Sequence, residues 1–148
     1  MPIYATVICR GIWLVVLLFI FVGCSKAPSC SDETVKRAAV DISSKEIRNA
    51  VAIQGQGFGD YDNLKMILEN PSTTGEQRKV LQEVFDSANA MAANISLVNI
   101  RITEKHDDVK MCGCSGDLNL STGKTIAINY TAQYTEDGKV YVKVTGLR

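Results

Sequence analysis

The groups with the widest chemistry in this sequence are its thiols, at positions 9, 24, 30, 112 and 114. A thiolate can act as nucleophile, disulfide partner or soft-metal ligand, and its surroundings select among these. Cys112 and Cys114 open a stretch, with Leu118 and Leu120, whose period is two. On a strand they share a face with Cα atoms about 6.5–7 Å apart and parallel side chains, a poor geometry for bonding to each other. Cys30 stands just ahead of the first helical stretch. A bond from Cys30 to Cys112 or Cys114, with Cys114 favoured, would pin that helix to a sheet. Closing so long a loop stabilises by roughly 4–5 kcal/mol on the chain-entropy model. One thiol is then left over, buried or open to an intermolecular bond. The competing assignment is a Cu(I) site built from Met111, Cys112, Cys114, Cys30 and His106. Alternation sends Met111 to the face opposite the two cysteines, so the expectation is a disulfide, with no metal and no cofactor.

Other arrangements fail on spacing. Gly123-Lys124-Thr125 has the ending of a phosphate-binding loop, but Leu118 stands where its first glycine is required. Gly55, Gly57 and Gly59 lack dinucleotide-loop spacing and read as a chain break. Asp60-Tyr61-Asp62-Asn63 starts like a calcium loop and continues with Leu64 and Lys65 where a ligand and a glycine belong. His106, the single histidine, lies among Glu104, Lys105, Asp107 and Asp108 and reads as part of a solvated turn. No catalytic residue is assigned, and the chain reads as a non-enzyme.

The N-terminus carries a different signal. After Arg10, residues 11–22 form an apolar run of 12. As a helix it would be about 18 Å long, short of a ~30 Å hydrocarbon core. A basic residue followed by a short apolar region describes an export signal. The run ends Phe21-Val22-Gly23-Cys24, which resembles the bacterial lipobox, Leu-[Ala/Ser]-[Gly/Ala]-Cys, with Phe21 in place of the usual Leu. The resemblance implies diacylglycerol on the Cys24 thiol and cleavage ahead of it, leaving a membrane-tethered lipoprotein. Residues 1–23 are then the signal peptide, 24–30 a lipidated polar tether and 31–148 a single domain. Ser25 and Lys26 follow Cys24 with no Asp, which in such lipoproteins implies outer-membrane sorting, facing the periplasm. That compartment is oxidising, as the expected disulfide requires.

The elements that must position these groups follow from periodicity. Val35, Ala38, Ala39, Ile42, Ile47, Ala50 and Val51 mark a helix, with Ser31 as N-cap. A short helix is expected over 63–69. A longer one starts near Thr74, which forms a capping box with Gln77 and has Val80, Leu81, Val84, Phe85, Ala88 and Met91 on its apolar face. From Ile95 the period becomes two. Val98, Ile100 and Ile102 define one strand, and Cys112 to Leu120 a second. Ile126 to Tyr134 and Val140 to Val144 define the third and fourth, with turns at 104–108, 121–123 and 136–138. The predicted class is α+β, with N-terminal helices packed on one face of a four-stranded antiparallel sheet. This layout resembles the cystatin-like and nuclear-transport-factor-like periplasmic domains of bacterial lipoproteins.

Charge narrows the function. Residues 24–148 hold 15 basic and 16 acidic side chains. Such balance gives no pull toward nucleic acid. The preferred reading is a non-catalytic binding or accessory module, anchored by lipid at the cell envelope and working with an envelope protein. An envelope-complex subunit, an inhibitor or immunity protein, and an exclusion factor all fit this class. Phe58, Tyr61 and Tyr141 are its candidate contacts. The alternatives are a ligand-binding or enzymatic pocket between sheet and helices, and soft-metal binding through Cys112 and Cys114.

Overall fold

The computed structural model describes residues 26–55 and 59–147. The expected signal peptide, Cys24 and Phe58 lie outside the described residues. The helical periodicities give α1 (Glu33–Gln54), α2 (Tyr61–Glu69) and α3 (Gly75–Ala92). The alternating segments give β1 (Ser96–His106), β2 (Met111–Asn119), β3 (Thr125–Tyr134) and β4 (Val140–Thr145). The strands form an antiparallel meander in the order β1-β2-β3-β4. The fold is α+β, with helices packed against the four-stranded sheet.

The helix ends differ from the sequence reading in detail. Asp32, one residue after Ser31, caps α1, and its carboxylate accepts from the Ser29 N–H rather than from a helical N–H. Asp60 caps α2 by accepting from Asn63 N. Thr74 caps α3 without a side-chain bond, so the expected capping box is not formed.

One helix organises the packing. Val35, Ala39, Ser43 and Ile47 recur every fourth residue on the buried face of α1, and Ala52 ends the stripe. The Ser43 hydroxyl is satisfied by donating to Ala39 O at 2.7 Å. Val35 and Ala39 join the sheet core of Leu97, Leu118, Ile128, Tyr130, Ala132 and Val142. Ile47 meets Ala92 and Leu120 where β2 ends. Ala52 belongs to a helical cluster with Leu64, Leu68 and Leu81. From Val35 to Ala52 the helix rises about 25 Å at ~1.5 Å per residue. The sheet core and the helical lobe therefore lie at opposite ends of α1.

The first strand departs most from simple alternation. Its register slips between Val98 and Arg101 and again between Ile102 and Glu104, and Asn99 has a φ of 51°. The extra residue of a bulge reverses which side chains face the core. Leu97 is buried, Val98 stands opposite Asp117, and Ile102 on this edge strand is 58% exposed. The expected Val98–Ile100–Ile102 stripe is thus broken. Residues 101–106 of this edge strand are all exposed, and four of them (Arg101, Glu104, Lys105 and His106) are polar and ionisable, a pattern that discourages edge-to-edge pairing. The β1–β2 turn falls at 107–110, beyond the expected 104–108, with Lys110 N donating to Asp107 O.

Gly116 lets β1 approach β2 closely. A Cβ there would lie 2.9 Å from Leu97 Cδ1 and 3.2 Å from Val98 O. Leu97 is core and Val98 O is backbone, so neither yields easily. Gly116→Ala should destabilise the fold by roughly 1–3 kcal/mol, read from the denaturant midpoint. An unchanged midpoint would contradict the close approach.

Candidate functional site

Strand alternation directs Cys112 and Cys114 into the sheet core, and the segment before α1 brings Cys30 onto them. Cys30 is disulfide-bonded to Cys114, with Cα atoms 5.7 Å apart. Cys112 is the remaining buried free thiol. Its Sγ lies 3.6 Å from that of Cys30 and 3.5 Å from that of Cys114. Three sulfurs thus share one apolar site, each on a residue about 1% exposed. Met111 is only half-buried and outside the cluster, and His106 is exposed, 3.3 Å from Glu104 Oε2 at the end of β1.

Burial pushes the Cys112 thiol above its ordinary pKa, outweighing the Ala132 backbone hydrogen bond that favours the thiolate. The thiol is therefore protonated and a weak nucleophile at neutral pH. Tyr130, buried on β3 opposite Cys114, donates its hydroxyl to Cys30 O at 2.9 Å. Burial raises its pKa from 10.0 to about 12. Sequence reasoning missed this residue, although a tyrosine on the core face of a strand must find a partner for its hydroxyl.

The chain ahead of Cys30 is also held. Ala27 and Pro28 are buried, and Ala27 N donates to Asp107 Oδ1 at 3.2 Å. That bond, followed by the one from Lys105, keeps the Asp107 carboxyl below the usual carboxylate range. Residues 27–30, read from composition as polar tether, therefore pack as part of the domain. The β1–β2 turn that receives them stands beside the β3–β4 turn, since Tyr134 N donates to Lys110 O.

The other singled-out residues lie elsewhere. Tyr61 is half-buried, stacked on Phe85 with ring centroids 5.2 Å apart and donating to Asn89 Oδ1 at 2.7 Å. Tyr141 is 57% exposed on β4. Gly123 and Lys124 form the β2–β3 turn, closed by Leu120 N donating to Lys124 O. An open depression lined by Gln133, Tyr134, Thr135, Glu136, Asp137 and Tyr141 sits at the β3–β4 turn. No described helix is long and apolar enough to cross a membrane.

Compared with known proteins, the chain matches no family model, no curated protein and no solved structure.

Two outcomes follow from this geometry. Cys30→Ala should cost about 4–5 kcal/mol of unfolding free energy, since the lost crosslink spans 84 residues of sequence. A loss below about 1 kcal/mol in a denaturant titration would show that the crosslink does not constrain the unfolded chain. Tyr130 should make stability pH-dependent at the alkaline end. Its pKa is higher folded than unfolded, so its contribution is full below pH 10 and lost as pH rises toward about 12. Denaturant midpoints across that window should fall in the parent, and Tyr130→Phe should lack this component.

Proposed function

We propose that the chain is a lipid-anchored, non-catalytic binding or accessory module of the bacterial cell envelope. The carrying observation is the apolar run closing in Val22-Gly23-Cys24, three residues before a segment that is clamped to the domain at Ala27. Diacylglycerol on Cys24 would tie this end of the domain to the bilayer, because several acyl chains together hold a protein stably. The near-neutral charge of residues 24–148 fits anchoring by lipid rather than by charge.

The clamp gives the tethered domain a direction. Three residues of extended chain span at most about 11 Å, so lipid on Cys24 would keep Ala27 close to the headgroups. Asp107, which holds Ala27, belongs to the β1–β2 turn, and the β3–β4 turn lies at the same end. Val109, 50% exposed, would then face the membrane. The helical lobe at the far end of α1 would face away, presenting Ile53 and Met66, which are 57% and 64% exposed. That lobe is the surface offered to an envelope partner, in the manner of a complex subunit, an inhibitor or immunity protein, or an exclusion factor. The helix-over-meander architecture, which the cystatin-like and nuclear-transport-factor-like domains of lipoproteins also have, agrees with a binding role.

Radiolabelled palmitate should enter the parent chain and be absent from Cys24→Ser; incorporation that survives the substitution refutes the anchor. The one tryptophan of the sequence is Trp13, within the expected signal peptide, so introduced tryptophans can report depth. In vesicles, Val109→Trp should be quenched by headgroup-labelled lipid and Met66→Trp should not. Equal quenching of the two would reject the orientation.

A further inference from the structure

We propose that the three sulfurs of Cys30, Cys112 and Cys114 form, when the disulfide is reduced, a binding site for a soft monovalent metal ion of the Cu(I) class. This goes beyond the envelope reading and does not depend on lipidation. The three Sγ atoms lie within 4.8 Å of one another, and all three residues are buried. A metal at about 2.3 Å from each of three sulfurs requires them roughly 4.0 Å apart in a trigonal arrangement. Cys112 already stands 3.6 and 3.5 Å from the other two. Reduction releases Cys30 and Cys114 from each other, and only their side chains need to separate. The backbone around them stays held by the β2–β3 ladder and by Tyr130 donating to Cys30 O.

The donor set selects the ion. Hard cations need oxygen ligands, and this cluster offers sulfur. Zinc asks for four ligands in its structural sites. Among the described residues the cluster contains three cysteines and neither histidine nor carboxylate, and the nearby Tyr130 hydroxyl is committed to Cys30 O. Cu(I) accepts few, soft ligands. With two thiolates and one neutral thiol the Cu(I) site would carry one net negative charge, and full deprotonation would leave two.

The chemistry balances in two steps. A dithiol or phosphine reductant donates two electrons, the Cys30–Cys114 bond breaks, and two protons from solvent complete the thiols. Cu(I) then forms bonds to two sulfurs as their protons return to solvent, and the third thiol completes the coordination. Disulfide and metal are mutually exclusive states of the same three residues. Cys112, silent in the oxidised protein, is the ligand that distinguishes this cluster from a simple crosslink.

The test uses the full chain in detergent carrying Cys9→Ser and Cys24→Ser, so that the three cluster thiols are the ones counted whether or not the chain is lipidated. Cu(I) is supplied from a competing bicinchoninate chelator. The reduced chain should retain one Cu(I) and show thiolate-to-copper absorption in the near ultraviolet, while the oxidised chain retains none. Adding Cys112→Ser leaves the Cys30–Cys114 bond available as a check of folding and should weaken retention by at least about tenfold. Absence of retention by the reduced chain overturns the site, and so does equal retention by the Cys112→Ser variant. A reduced chain whose near-ultraviolet circular dichroism collapses and is not restored by Cu(I) overturns it as well.

Discussion

The attachment of Cys30 to β2 sets the rest of the molecule. A covalent bond to Cys114 and a hydrogen bond from Tyr130 to the Cys30 carbonyl fix one point of the chain from two strands at once. The N-terminus of α1 follows within three residues, so its position on the sheet is fixed there too. The crosslink joins residues far apart in sequence, which is where loss of unfolded-state freedom is greatest. Val35 and Ala39 then fall on the sheet core without further choice.

Everything beyond that point is laid out along α1. The same buried stripe serves the sheet with its first turns, the junction with Ile47 and the helical lobe with Ala52. A helix that carries separate clusters at its two ends transmits orientation rigidly, because neither end can turn without breaking packing at the other. The clamp of Ala27 on Asp107 completes this frame at the opposite side from the lobe. The Ala27 clamp thus lies at one end of the domain, and the exposed apolar side chains Ile53 and Met66 lie at the other.

The sulfur cluster has a different logic from its surroundings. A crosslink needs two sulfurs, and a third buried thiol adds nothing to loop closure. Cys112 packs as a small apolar residue whose proton is retained because a thiolate there would lose its solvation. Its sulfur nonetheless lies within 3.6 Å of both bonded sulfurs.

The sequence alone determined the class and order of elements, since periods of 3.6 and two record which faces are apolar. The same rule placed Cys112 and Cys114 on one face and named Cys30 as the partner, with Cys114 favoured over Cys112. The Cys30–Cys114 bond is the one the structure has, while alternation alone leaves both side chains pointing the same way along β2. The bulge at Asn99 was illegible because an extra residue in one strand has meaning only against its neighbour, and it left Ile102 exposed where alternation had placed it with the core. Residues 27–30 read as a polar tether by composition, yet Ala27 and Pro28 are buried, and Ala27 N bonds to Asp107, 80 positions away. Tyr130 and Asp107 likewise acquire their roles only when the meander brings distant segments together. Local pattern fixes which way side chains point, and tertiary structure alone decides what they meet.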